Sequence, residues 1–190
     1  MAQRRSKKLS IAIPSSVVDE WLHQRDKTLV LGLIARASAV FRVDRIVIYR
    51  DPFDRAYARK QRFIQSVLSY AETPQYLRKA LYPISRDLRY VGIIPPLRTP
   101  HHPLAKKSSE LADRCFREGV VVGRRGGLLL VDIGVEKPIP CEGSAEEGAR
   151  VTVELVRSGQ RLLARIVDRG CPQQYWGYEV EVTRMLLGEY

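Results

Sequence analysis

"YVGIIPPLRTPHHPLAKK", residues 90–107, holds four prolines, two adjacent histidines and three basic residues. Proline lacks a backbone donor and clashes with the preceding helical turn, so this stretch forms neither helix nor sheet interior. It reads as a stiff connector, and the fold is decided by the different patterns on its two sides.

Upstream, "KKLSIAIP" reads as a strand closed by Pro14. In "KTLVLGLIARASAVFRV", Val30, Leu33, Ile34, Ala37, Val40 and Phe41 recur at helical spacing with Arg36 opposite, which predicts an amphipathic helix with those apolar residues inward. "RIVIYRD" is a short apolar run ended by Asp51-Pro52, a buried strand parallel to the first because a helix joins them. A second helix is expected from about Asp54 to Ala71, with Phe63, Ile64, Val67, Leu68 and Ala71 facing the core.

Downstream the period changes. "DRCFREGVVVGRRGGLLLVDIG" and "ARVTVELVRSGQRLLARIV" each show two β runs around a glycine turn, with "EKPIPC" between them. About five short strands over residues 110–168 fit a small antiparallel barrel of the OB type. After it, "YEVEV" alternates like a strand and "TRMLLGEY" looks like the start of a helix. The economical reading is a parallel α/β domain (residues 1–92, resumed at 169–190) into which a barrel (110–168) is inserted through the basic connector (93–109).

The chain has 190 residues, 45% of them hydrophobic, enough for real cores. Its net charge is +11, its pI is near 9.9, and it carries 24 Arg against 8 Lys. Guanidinium forks match phosphate geometry and stack on bases, so a polyanion is the expected partner. No window approaches the apolar length of a membrane span, and the first residues are too short in apolar core for a signal peptide, so the expected location is cytoplasmic. Cys115, Cys141 and Cys171 are widely spaced with no CxxC, supporting neither a disulfide framework nor a zinc site, and they read as buried thiols. Asparagine is absent, a bias expected of a thermophile.

Candidate phosphate-binding residues fall in clusters. Arg4, Arg5, Lys7 and Lys8 form a basic tail. Arg55, Arg59, Lys60 and Arg62 crowd the start of the second helix, where the macrodipole normally recruits carboxylates. Either an external phosphate sits there or the face is simply exposed. Arg78, Lys79, Arg86 and Arg89 interleave with Tyr76, Tyr82 and Tyr90, which suits phosphate neutralisation and base stacking, although the tyrosines could equally be core. Prolines hold residues 93–103 extended, so Arg98, His101, His102, Lys106 and Lys107 would meet a phosphate backbone with little ordering cost. The alternative is a strap that only fixes two domains. Arg124 and Arg125 sit in the first barrel hairpin.

No catalytic or metal constellation emerges. In an extended segment His101 and His102 point apart and cannot chelate one ion. Ser108 and Ser109 lack a base at a suggestive spacing, and Glu146-Glu147 reads as a solvated turn.

The stretches "LSIAIPSSVVD", "IARASAVFRVDRIVIY", "YAETPQYLRKALYPISRDLRYVGIIPPLRTPHHP", "LVDIG" and "YWGYEV" resemble the archaeal and eukaryotic SPOUT RNA methyltransferases, which carry an OB-like insert in an α/β knot domain. The resemblance implies an RNA-modifying protein acting on ribosomal or related RNA, usually a homodimer, with S-adenosylmethionine as methyl donor. It makes RNA the polyanion, and Tyr175 and Trp176 complete the candidate RNA-binding set. The family builds its donor site from a C-terminal knot following "YWGYEV", whereas eight residues follow Val182 here. At about 30 residues per βαβ unit, eight cannot supply that lobe. Either the chain is part of a longer one, or it is a relative that kept RNA binding and lost catalysis.

The expectation adopted is the second: a non-catalytic component of the large ribosomal subunit, bound to rRNA and neighbouring ribosomal proteins, with no cofactor in this form and with a homodimer left open but doubtful without the lobe that carries much of the interface. The alternative is an S-adenosylmethionine-dependent rRNA methyltransferase whose donor-binding lobe lies outside these residues. A protein-binding barrel with incidental charge is a weaker third.

Overall fold

A computed structural model describes residues 3–158 and 161–190. In chain order the elements are β1 (Ser10–Pro14), a 3-10 turn (Ser15–Val18), α1 (Gln24–Val40), β2 (Arg45–Tyr49), α2 (Tyr57–Glu72), α3 (Gln75–Leu81), 3-10 turns at Val91–Ile93 and Ser108–Glu110, β3 (Phe116–Arg125), β4 (Leu128–Asp132), β5 (Ile139–Glu142), β6 (Arg150–Ser158), β7 (Arg161–Val167) and β8 (Glu179–Val182). They form two compact units. An α/β unit comprises Arg4–Thr73, Ile84–Arg98 and Gly177–Tyr190, and a barrel unit comprises Pro74–Pro83 and Thr99–Trp176 with Gln3.

In the α/β unit the strands run parallel in the order β1-β2-β8. Ile46, Val47 and Ile48 of the central strand are all buried, as a parallel strand covered on both flanks requires. From α2, Phe63, Ile64, Val67, Leu68 and Ala71 enter the core as their spacing predicts, each large side chain contributing about 1.5–3 kcal/mol when fully buried. The Tyr178 hydroxyl donates to Leu68 O at 2.9 Å, tying the approach to β8 to this helix.

Three local expectations are corrected. Helix α1 buries Thr28, Leu31, Gly32, Ala35 and Ser38, while Leu33, Val40 and Phe41 of the expected stripe lie outside. A Cβ on Gly32 would come within 2.9 Å of Ile94, so the inward face is chosen by small residues that admit close approach, not by the largest apolar content. Helix α2 begins at Tyr57 because Asp54 is used in a turn, accepting the Ala56 N–H at 2.9 Å. Residues 183–190 form turns instead of a helix, with Thr183 Oγ1 and Glu189 Oε2 accepting the Met185 and Leu186 N–H groups.

The barrel unit is closed and five-stranded in the order β3-β4-β5-β7-β6. It is mixed and not wholly antiparallel, since β5 pairs with β7 in parallel. Strands that otherwise alternate in direction, odd in number, cannot close a ring without one parallel pair. Its core includes Val121, Leu129, Val131, Ile133, Val153 and Leu155. Gly126 and Gly127, with φ of 59° and 83°, make the β3–β4 turn, a left-handed pair suited to a tight hairpin. Of the thiols expected to be buried, Cys141 alone is; Cys115 is partly covered and Cys171 exposed. Among the described residues no helix is long and apolar enough to cross a membrane.

Candidate nucleic-acid interface

The carboxyl ends of parallel strands are the usual ligand edge of an α/β sheet. At that edge of β1 and β2, Ser15 donates to Asp54 Oδ2 at 2.8 Å and Ser16 donates to Asp51. Lys60 Nζ bridges Asp54 Oδ1 and Asp19 Oδ2 at 2.9 and 2.7 Å. Burial pushes the Asp54 carboxyl up, but hydrogen bonds from Lys60, Ser15 and Ala56 outweigh it and leave the group below the ordinary aspartate range. Desolvation pulls the Lys60 ammonium down, but its bonds to Asp19 and Asp54 outweigh it and hold the group above its usual value.

Beside this cluster lies a cavity of about 410 Å³ whose lining includes Val18, Leu22, Lys27, Arg59, Lys60 and Arg86. It brings together Arg59 and Arg86, which stand on separate sequence segments, and adds Lys27, which the sequence reading did not single out. Lys60 is neutralised by its two aspartates. Arg59 and Arg86 are exposed, and their guanidinium groups make no ion pair among the described residues. Helix α2 starts without a side-chain cap and without an acidic residue in its first turn, which carries Arg59 and Lys60 instead. This arrangement suits a phosphate.

The other basic candidates of this unit are mostly surface residues. Lys7, Lys8, Arg55, Arg62, Arg89 and Arg98 are exposed, and Arg4 is half-buried. Arg5 donates to Phe41 O at 2.9 Å, and Arg89 lies 5.3 Å from the Tyr90 ring centroid.

In the barrel unit Arg124, Arg125, Lys79, Lys106 and Lys107 are exposed and Arg78 is half-buried. Arg124 donates to Ala145 O at 3.2 Å, which orients the hairpin. Three candidates lie inside. His101 is fully buried, and its ring centroid is 4.3 Å from that of His102 instead of pointing away. The cause is a turn in which the His102 N–H reaches Thr99 O at 2.9 Å, where an extended segment was expected. Tyr175 and Trp176 are buried at 2% and 5% exposure, so they offer no stacking surface in this conformation.

Trp176 instead serves a buried network that the sequence reading missed. Glu118 Oε1 accepts Trp176 Nε1–H and the Thr152 hydroxyl, each at 2.6 Å, and Oε2 accepts Arg150 Nε–H at 2.6 Å. The Tyr76 hydroxyl donates to the Glu118 carbonyl at 2.9 Å; burial pushes that phenol up to about 12, with Arg117 opposing. An adjacent Arg-Glu pair opening an apolar β run was the available signal, since charges inside a barrel strand demand partners.

Residues 8–187 match the model of a family described as "Putative RNA methyltransferase". The chain is 33% identical to the human 28S rRNA (uridine-N(3))-methyltransferase over 94% of its own length and 52% of the relative's. It is 34% identical to the mouse protein of the same name, over 97% and 52%. An uncharacterized protein of Haloarcula marismortui is 39% identical over 84% of this chain and 57% of its own. The chain thus spans about half the length of the curated relatives it matches. These relatives overturn the expectation of a non-catalytic ribosomal component: the proteins it most needed to differ from are named as enzymes acting on rRNA.

Proposed function

Because this chain belongs to the putative RNA methyltransferase family, we propose that it is the RNA-holding part of a SPOUT-class, S-adenosylmethionine-dependent rRNA methyltransferase. The observation that carries this reading is a family match over residues 8–187, reinforced by relatives named for uridine N3 of 28S rRNA. A parallel sheet with an inserted closed barrel supports the SPOUT assignment and the OB-like character of the insert.

Arg59 and Arg86 hold backbone phosphates at the carboxyl edge of the sheet, and Arg124, Arg125, Lys106 and Lys107 extend the phosphate contacts on the barrel unit. Arg98 is the bidentate donor of the connector. S-adenosylmethionine supplies the methyl group, and its sulfonium carries positive charge. The cavity lined by Lys27, Arg59, Lys60 and Arg86, with Asp87 as its one acidic lining residue, is net cationic and suits an RNA phosphate better than a sulfonium.

The test is methyl transfer. The full-length protein that carries residues 1–190 is incubated with methyl-labelled S-adenosylmethionine and large-subunit rRNA, followed by nucleoside mass spectrometry. Label in 3-methyluridine at one rRNA position is expected. RNA that binds but acquires no label would overturn the enzymatic reading.

A further inference from the structure

A second cavity, of about 530 Å³, lies within the barrel unit, lined among others by Ala105, Arg114, Phe116, Arg117, Gln173 and Trp176. Its size suits one small ligand and excludes a duplex. Arg117 is 2% exposed and has no carboxylate partner among the described residues. Its Nη1 and Nη2 both donate to Ala105 O, at 3.2 and 3.1 Å, its Cζ lies 5.2 Å from the Tyr76 ring centroid, and its Nε is buried without an acceptor. Two acids, Glu110 and Asp113, also line the cavity, and neither pairs with Arg117 among the described residues. Glu118 takes its three side-chain donors, Asp113 Oδ1 accepts the Arg157 N–H at 2.8 Å, and Glu110 Oε2 accepts the Lys106 and Lys107 N–H groups at 3.1 and 3.4 Å.

A buried cation left uncompensated raises the potential at the cavity wall and favours an anion there. At the rim, Arg114 is exposed, makes no ion pair among the described residues, and is held at φ 53°, a left-handed conformation uncommon for a non-glycine residue. Phe116 and Trp176, 6.3 Å apart and edge to face, supply apolar wall, and the exposed Gln173 supplies an amide.

We propose that this cavity binds a single nucleotide of single-stranded RNA, with Arg114 donating to its phosphate, Arg117 supplying buried positive potential, and Gln173 beside the base. It rests on the RNA reading above and deepens it, by giving the barrel unit a seat for one splayed nucleotide.

Trp176 reports on this cavity. In a Trp21→Phe background it is the only tryptophan, because the chain has two. The probes are uridine 5′-monophosphate, uridine and inorganic phosphate, followed by Trp176 fluorescence at low salt. Saturable change is expected with the monophosphate, weaker change with phosphate, and weakest with uridine. Arg114→Gln should weaken monophosphate binding about tenfold, the loss of one charge-assisted contact. Arg117→Lys, which keeps the charge, should retain most of it. No saturable change with the monophosphate, or equal binding of uridine, would overturn the inference. Affinity for a long single-stranded RNA, measured in parallel, judges the RNA reading separately: RNA bound without monophosphate binding removes this site and leaves that reading standing.

Discussion

Replacing Glu118 by Gln changes almost no volume and tests the barrel's polar centre. The carboxylate, 1% exposed, accepts from Arg150, Thr152 and Trp176, all at 2.6 Å. An amide oxygen can keep two of these bonds at most, while the amide NH₂ turns donor against donor toward the third. The charge opposite Arg150, itself 20% exposed, also disappears. Hydrogen bonds to charged groups contribute about 1.5–3 kcal/mol each, and breaking a buried pair costs about 3–5 kcal/mol. Glu118→Gln should therefore destabilise the barrel unit by about 3–5 kcal/mol, and Thr152→Val, which removes one donor, by about 1–2 kcal/mol. Urea unfolding followed by tryptophan fluorescence and circular dichroism measures both. At a slope of about 2 kcal/mol/M the Gln variant moves the midpoint by about 1.5–2.5 M. A loss below about 1 kcal/mol for Glu118→Gln would refute the claim that this network holds β3, β6 and the Trp176 segment together.

Three further outcomes follow from the ionisable groups. Asp54 has a lowered pKa, so its contribution is present above the ordinary aspartate value of 3.8 and is lost as pH falls through the folded value; urea midpoints of the α/β unit should drop in that acid range, and Asp54→Asn should flatten the drop. Lys60, raised above 10.5, adds stability that disappears only as pH rises through its folded value, so the neutral range should be flat for this pair. Burial pushes the Cys141 thiol up to about 11 and raises Cys115, whereas Cys171 is exposed; a chromogenic disulfide at mildly alkaline pH should label Cys171 fastest, the partly covered Cys115 more slowly and Cys141 only on unfolding, and fast labelling of Cys141 in the folded protein would contradict the packing of β5.

Much of the architecture can be read from the chain because its signals are local. Ile46–Ile48 between breakers, the 3.6-residue repeat of Phe63, Ile64, Val67, Leu68 and Ala71, and glycine turns between β runs each depend on neighbours within one element. What failed depends on partners distant in sequence. The inward face of α1 is set by Ile94 against Gly32, and the parallel β5–β7 pair by ring closure. Likewise, positive charge was legible residue by residue, while its grouping was not: Lys27 joins Arg59 and Arg86 only through the fold, and the burial of His101 follows from a turn at Thr99. Trp176 stands among the candidate RNA-binding residues, yet its ring is buried and its indole N–H is taken by Glu118.

The functional account rests on guanidinium groups gripping RNA through its phosphates, and the dependence of RNA affinity on salt measures that directly. For wild type, log K should fall linearly with log salt, and Arg59→Ala and Arg86→Ala should each reduce the slope by about 0.7–1 while leaving the unfolding midpoint unchanged. Affinity indifferent to salt, or slopes that both variants leave untouched, would contradict it.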